Sequence, residues 1–159
     1  MNDQYVVRLV HKYRKKGLLI DTNLALLYVV GSLNTLKIKE HKRTCNYTID
    51  DFDRVIRFAG LFDKVIVTPH ILTEMSNLLG KSSELQNILS GFIRSSIEIF
   101  KPSISVTRTS RFASMGLTDS AILSIAKNKF LVLTDDMPLA AILVNASVET
   151  VVLESLRRI

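Results

Sequence analysis

The chain has 159 residues, 47% of them hydrophobic and 23% charged, which gives one ordinary domain its own core and excludes a disordered or fibrous chain. A single cysteine, Cys45, excludes a disulfide framework within the chain and fits a reducing cytoplasm. The formal net charge of +6 favours a polyanionic partner, because phosphate backbones draw lysine and arginine by counterion release as well as by Coulomb attraction.

The first residues, MNDQYVVRLVHKYRKKG, carry Arg8, His11, Lys12, Arg14, Lys15 and Lys16 before any long apolar run, and they lack a small-residue cleavage site. They do not read as a signal peptide. The longest apolar stretch, around Leu24 to Val30, is too short to span a bilayer, so no membrane association is expected. Basic residues cluster in two runs, Lys12, Arg14, Lys15, Lys16 and then Lys37, Lys39, Lys42, Arg43, both candidates to track a nucleic-acid backbone. A solvated or partner-binding surface is the competing explanation of either run.

Short apolar, β-branched runs at Leu18–Ile20, Val65–Val67, Ser103–Val106, Phe130–Leu133 and Val148–Val152 read as strands, and stretches of helical length separate most of them. Asp21 is placed to cap a helix after the first strand. Residues 50–60 form the next expected helix. Thr68-Pro69 opens another, with Ile71, Leu72, Met75, Leu78 and Leu79 on one apolar stripe ending near Gly80. Residues 83–98 follow as a helix, then one from Thr118 to Ala126, then one opening at Met137 or Pro138. Alternating strands and helices predict an α/β fold, a three-layer α/β/α sandwich around a parallel sheet of five strands, in one domain spanning residues 1–159. No repeat or linker divides the chain.

In such a sheet, sites form outside the carboxyl ends of the strands. Asp21 ends the first strand, Asp119 begins a helix, Asp135 and Asp136 follow the strand ending at Leu133, and Glu74 flanks the apolar stripe of its helix. Each has an ordinary explanation: a cap for Asp21 and Asp136, a helix-dipole charge for Asp119, a solvated surface residue for Glu74. Those explanations do not account for convergence, because clustered carboxylates repel unless cations neutralise them. Oxygen-rich acidic clusters suit Mg²⁺ or Mn²⁺. His11, His41 and His70 show no zinc-ligand spacing with Cys45, and neither a glycine-rich phosphate loop nor a nucleophile elbow is present.

The segments LLIDTN at 18–23, TPHILTEMSNLL at 68–79, GLTDSAILSIAKN at 116–128 and LVLTDDMPLAAIL at 131–143 together resemble a PIN-domain ribonuclease, in that family's order and over most of the chain. The resemblance implies a metal-dependent endoribonuclease acting on RNA, with an acidic pocket holding Mg²⁺ or Mn²⁺. By position, Asp21, Glu74, Asp119 and Asp136 match the four acids, and Asp135 can stand in for Asp136. Asn23, Thr134 and Thr118 match polar positions that orient the ligands. The family includes toxins of toxin-antitoxin pairs, which makes an antitoxin protein and a homodimer expected partners. The long stretch between Asp21 and Glu74 and the basic segment before the first strand depart from the small toxins. Water attack at phosphorus would leave 5′-phosphate and 3′-hydroxyl ends.

Three alternatives compete. A phosphatase of the haloacid dehalogenase type needs Asp-x-Asp after the first strand, and Asn23 occupies the second place. An RNA-binding module with a degenerate, non-catalytic pocket and a DNA-directed nuclease on the same fold both stay compatible with the sequence.

Overall fold

The computed structural model describes residues 3–158. Five parallel strands, β1 (Leu18–Ile20), β2 (Val65–Val67), β3 (Ile97–Glu98), β4 (Leu131–Thr134) and β5 (Thr150–Val152), form one sheet in the order β3-β2-β1-β4-β5. The register pairs Leu19 with Ile66 on one side of β1 and Ile20 with Leu133 on the other. β1 and β4 are buried along their whole lengths, as a parallel sheet covered on both faces requires. The chain leaves β1 toward β2 and β3, then crosses to β4 and moves outward to β5. By the right-handed crossover rule, the connections after β1 and after β4 therefore depart to opposite faces. A crevice opens between their carboxyl ends.

The helices follow from local chemistry. α1 (Asp3–Tyr13) turns Val6, Leu9 and Tyr13 inward. α2 (Thr22–Leu33) is apolar almost all round and buried, held between helices rather than lying on the surface. Gly31 lets α2 and α4 (Ile49–Ala59) approach closely, since a Cβ there would stand 2.3 Å from the Phe52 ring. A one-turn helix, α3 (Lys37–Glu40), lies between them. α4 begins with a reciprocal Thr48–Asp51 capping box. Buried Asp51 also receives the Arg157 guanidinium, at 2.8 and 2.9 Å, from α10 (Leu153–Arg157). α5 (Pro69–Leu79) carries a Thr68 cap and a proline in its first turn, and α6 (Ser83–Ser95) carries a Ser82 cap. Apolar side chains from these elements and the sheet join one core. Among the described residues, no helix is long and apolar enough to cross a membrane.

Two sequence-based expectations are corrected. Ser103–Val106 is not a strand but a single helical turn, α7, following Pro102. The third strand is Ile97–Glu98, inside the stretch 83–98 expected to be helical; α6 ends at Ser95, and Ile99 N–H then bonds Val67 O at 2.9 Å to extend the ladder. The helix expected from Thr118 belongs to a longer element, α8 (Phe112–Ala126), which breaks at Gly116 (φ 77°, ψ −177°). That backbone region is essentially reserved for glycine. The break restarts the helix and brings Thr118 and Asp119 into a new first turn. The last helix between strands is α9 (Met137–Asn145).

Candidate functional site

The crevice between β1 and β4 is acidic. Asp21 follows β1 directly, its own N–H still bonded to Leu133 O of β4 at 3.1 Å, so the sheet fixes its backbone. Its carboxylate is 4% exposed. One oxygen caps α2 through Leu24 N–H at 2.9 Å; the other accepts from the Thr134 hydroxyl and from Asp135 N–H at 3.3 Å. Thr134, the last residue of β4, in turn accepts from Asp136 N–H at 3.0 Å. Asp136 caps α9 through Leu139 N–H at 2.8 Å. The ordinary explanation of Asp21 and Asp136 as caps is therefore correct as far as it goes, and it uses one oxygen of each.

Glu74, in the second turn of α5, accepts from the Thr22 hydroxyl at 2.8 Å. Thr22 adjoins Asp21, so this bond ties the glutamate helix to the end of β1. Asp119 is half-buried and makes no hydrogen bond among the described residues. Asp135 accepts from the Tyr47 hydroxyl, while its Oδ1 is buried without a partner.

The electrostatics link these groups. Burial, and then the Asp135 carboxylate, raise the Asp21 pKa to about 7 against the opposing hydrogen bonds from Thr134, Leu24 and Asp135. Burial, and then Asp136 and Glu74, raise Asp119 to about 6. Burial and the bond to Asp135 push the Tyr47 phenol upward, keeping it a donor. The carboxylates thus influence one another as Asp21 with Asp135, and Asp119 with Asp136 and Glu74. Among the described residues, no three acidic, histidine or cysteine side chains are grouped so as to hold a metal ion as they stand.

The donor set nonetheless fits a hard divalent cation. It is all oxygen, two members have raised pKa values, and Asp135 Oδ1 is an orphaned acceptor. Asn23 and Thr118 sit half-buried beside these acids in sequence, but neither makes a side-chain hydrogen bond to them among the described residues. The orienting hydroxyls are Thr134, as the sequence indicates, together with Thr22 and Tyr47, which it does not. Thr22 could be found from its place between Asp21 and Asn23; nothing near Tyr47 in sequence points to Asp135.

The two basic runs occupy different places. Lys12 pairs with Glu149 at 2.6 Å, Arg14 with Asp63 at 3.5 Å, and Lys16 donates to Asn128 O at 3.4 Å. Glu149, Asp63 and Asn128 precede β5, β2 and β4, so these residues, and Lys15 between them, mark the amino edge of the sheet, opposite the acids. In the other run, Lys37 pairs with Glu84 at 3.8 Å and Lys39 donates to Cys45 O at 3.1 Å; Lys42 and Arg43 follow, and this segment leads to Tyr47 at the acidic edge. A third basic stretch forms no run in the sequence. Residues 99–118 contain Lys101, Arg108 and Arg111 and no acid, and they run from β3 into the helix that carries Asp119.

Comparisons of the chain with protein-family models, with curated proteins and with solved structures find no match.

Proposed function

We propose that this chain is a PIN-like, metal-dependent endoribonuclease. The observation that carries the reading is the convergence of Asp21, Glu74, Asp119, Asp135 and Asp136 on the carboxyl edge of β1 and β4, with Asp21 and Asp119 pushed to pKa values of about 7 and 6. Asp21, Glu74, Asp119 and Asp136 would hold Mg²⁺ or Mn²⁺, with Asp135 at the same edge. When bound, such a cation supplies Lewis acidity toward a phosphodiester and lowers the pKa of a water. The chain's own work is positional. Thr134 fixes Asp21 and the turn into Asp136, Thr22 holds Glu74, and Tyr47 holds one oxygen of Asp135. Asp119, free of hydrogen bonds among the described residues, is the carboxylate with most freedom to turn inward.

The test is cleavage of matched single-stranded RNA, single-stranded DNA and flapped duplex by purified protein in Mn²⁺ or in chelator. RNA cleavage that needs the metal, leaves 5′-phosphate ends and falls on the order of a hundredfold or more in Asp21→Asn supports the reading. Full metal-dependent cleavage by Asp21→Asn overturns it, and preference for DNA redirects it to a DNA nuclease. One observation favours a second reading, a nucleic-acid-binding module without catalysis: among the described residues no three of the acids are grouped so as to hold one ion. Calorimetry with Mn²⁺ that detects no binding would select it.

A further inference from the structure

Beside the acidic edge, a cleft of about 610 Å³ opens between α5 and the segment following β3. Glu74 stands on its wall, and His70, Thr73 and Asn77 of α5 face Phe100 and Lys101 across it. Phe100 is 74% exposed, more than any other large apolar side chain among the described residues. Phe100 thus presents an aromatic face to solvent at the mouth of the cleft. Lys101 makes no ion pair among the described residues, and the acid-free stretch it opens carries Arg108 and Arg111 onward to Asp119. His70, also on the cleft wall, bonds Ser103 Oγ through Nε2 at 3.1 Å and so ties α5 to the segment after β3.

From these observations we infer that the cleft is a subsite for an unpaired nucleobase of the nucleic-acid strand, stacked on Phe100, with Lys101 meeting the adjoining phosphate. A ring face beside a lone cation is the complement of a nucleotide: π-surface and phosphate. Because Glu74 belongs to both the cleft wall and the acidic edge, a base seated here would lead its backbone toward the carboxylates. The inference deepens the nuclease reading by stating how the strand is gripped, and it specifies an unpaired base because a paired one has no free face to stack.

The chain contains no tryptophan, so Phe100→Trp places a single indole reporter at the subsite. Its emission is recorded in chelator, where no cleavage proceeds, as short unstructured RNA, its DNA counterpart, an abasic oligomer of equal charge, or heparin is added. Quenching by RNA or DNA but not by the abasic oligomer or heparin is expected, and the RNA and DNA arms distinguish the sugar. Phe100→Ala should weaken binding of the base-containing strand by about fivefold or more and leave the abasic strand unaffected. Absence of quenching, or equal affinity of Phe100→Ala for the base-containing strand, overturns the subsite and leaves Phe100 to a protein contact. Binding as expected without cleavage by the unaltered protein would sink the nuclease reading and keep the subsite; cleavage unaffected by Phe100→Ala would do the reverse.

Discussion

The Thr134 hydroxyl, at the end of β4, donates to the Asp21 carboxylate at the end of β1, joining residues 113 positions apart. Two strands meet there through one side-chain bond, and the same hydroxyl accepts from Asp136 N–H. The acidic edge is thus an extension of the sheet's own ladder, and its stability and its chemistry are open to separate measurement.

Asp21 carries a pH signature. Its folded pKa of about 7 lies above the ordinary 3.8, so the folded state holds the proton more tightly than the unfolded chain. This group's contribution is most favourable at low pH and declines as pH rises from about 4 through 7, by up to about 4 kcal/mol. Asp21→Asn keeps the helix cap and removes the charge, so it should flatten that slope and be more stable than the unaltered protein above pH 7. Urea midpoints recorded between pH 4 and 8 check this; parallel curves for the two proteins would refute it.

Divalent cation should reverse the penalty. Mn²⁺ at a hundredfold excess over its dissociation constant should stabilise the unaltered protein by about 2.7 kcal/mol, with little effect on Asp21→Asn. Binding requires Asp21 and Asp119, with pKa values of about 7 and 6, to be ionised, so it should weaken between pH 7.5 and pH 5.5 and release protons at neutral pH. Thermal midpoints and calorimetry in buffers of different ionisation enthalpy read both effects.

Arg157→Ala should cost about 2 kcal/mol at neutral pH, by leaving buried Asp51 with only its Thr48 cap bonds. Asp51 has a folded pKa of about 2, held down by its hydrogen bonds from Arg157 and Thr48 against burial. Its stabilising contribution is present above the unfolded value of 3.8 and lost as pH falls toward 2, so the variant's deficit should shrink in acid. Lysine at 157 should restore only part, because it cannot fork onto both oxygens. Chemical denaturation at pH 7 and pH 3 measures the difference.

Gly116→Ala should cost about 1–3 kcal/mol, since its backbone occupies a region alanine avoids while no neighbour obstructs the methyl group. If the chain relieves the strain by straightening α8, Asp119 leaves the edge and its pKa drops toward an ordinary carboxylate. Carboxyl titration by NMR follows Asp119 directly, and an unchanged titration would show that the break does not place it.

The elements legible in sequence are those with a period or a cap. β1, β2 and β4 announce themselves as apolar runs, and α5 and α9 by Thr68-Pro69 and Asp136. β3 was illegible because two residues have no period. Ser103–Val106 misled because its polar-apolar alternation is the strand pattern, while Pro102 sets up a turn instead. α1 was hidden by its charge, since Arg8, His11 and Lys12 ride on the outside of a helix whose Val6, Leu9 and Tyr13 are core, while Arg14, Lys15 and Lys16 lie in the turn that follows it.

At the site, the acids could be found because strand ends and helix starts are local features. Their partners could not. Tyr47 reaches Asp135 across 88 positions and Thr22 reaches Glu74 across 52, and only the folded crossovers bring those hydroxyls into range. Lys101, Arg108 and Arg111 give no sequence signal because they are spaced singly, their common feature being the lack of any acid between them.

The brevity of the outer strands limits how this molecule can assemble. β3 offers two residues of open ladder and β5 three, with α10 beginning immediately after β5. An intruding strand needs a longer run of free N–H and C=O groups than either supplies. Growth of the sheet into a neighbouring copy is thereby discouraged at both margins, and stable self-association would have to bury helical surface instead.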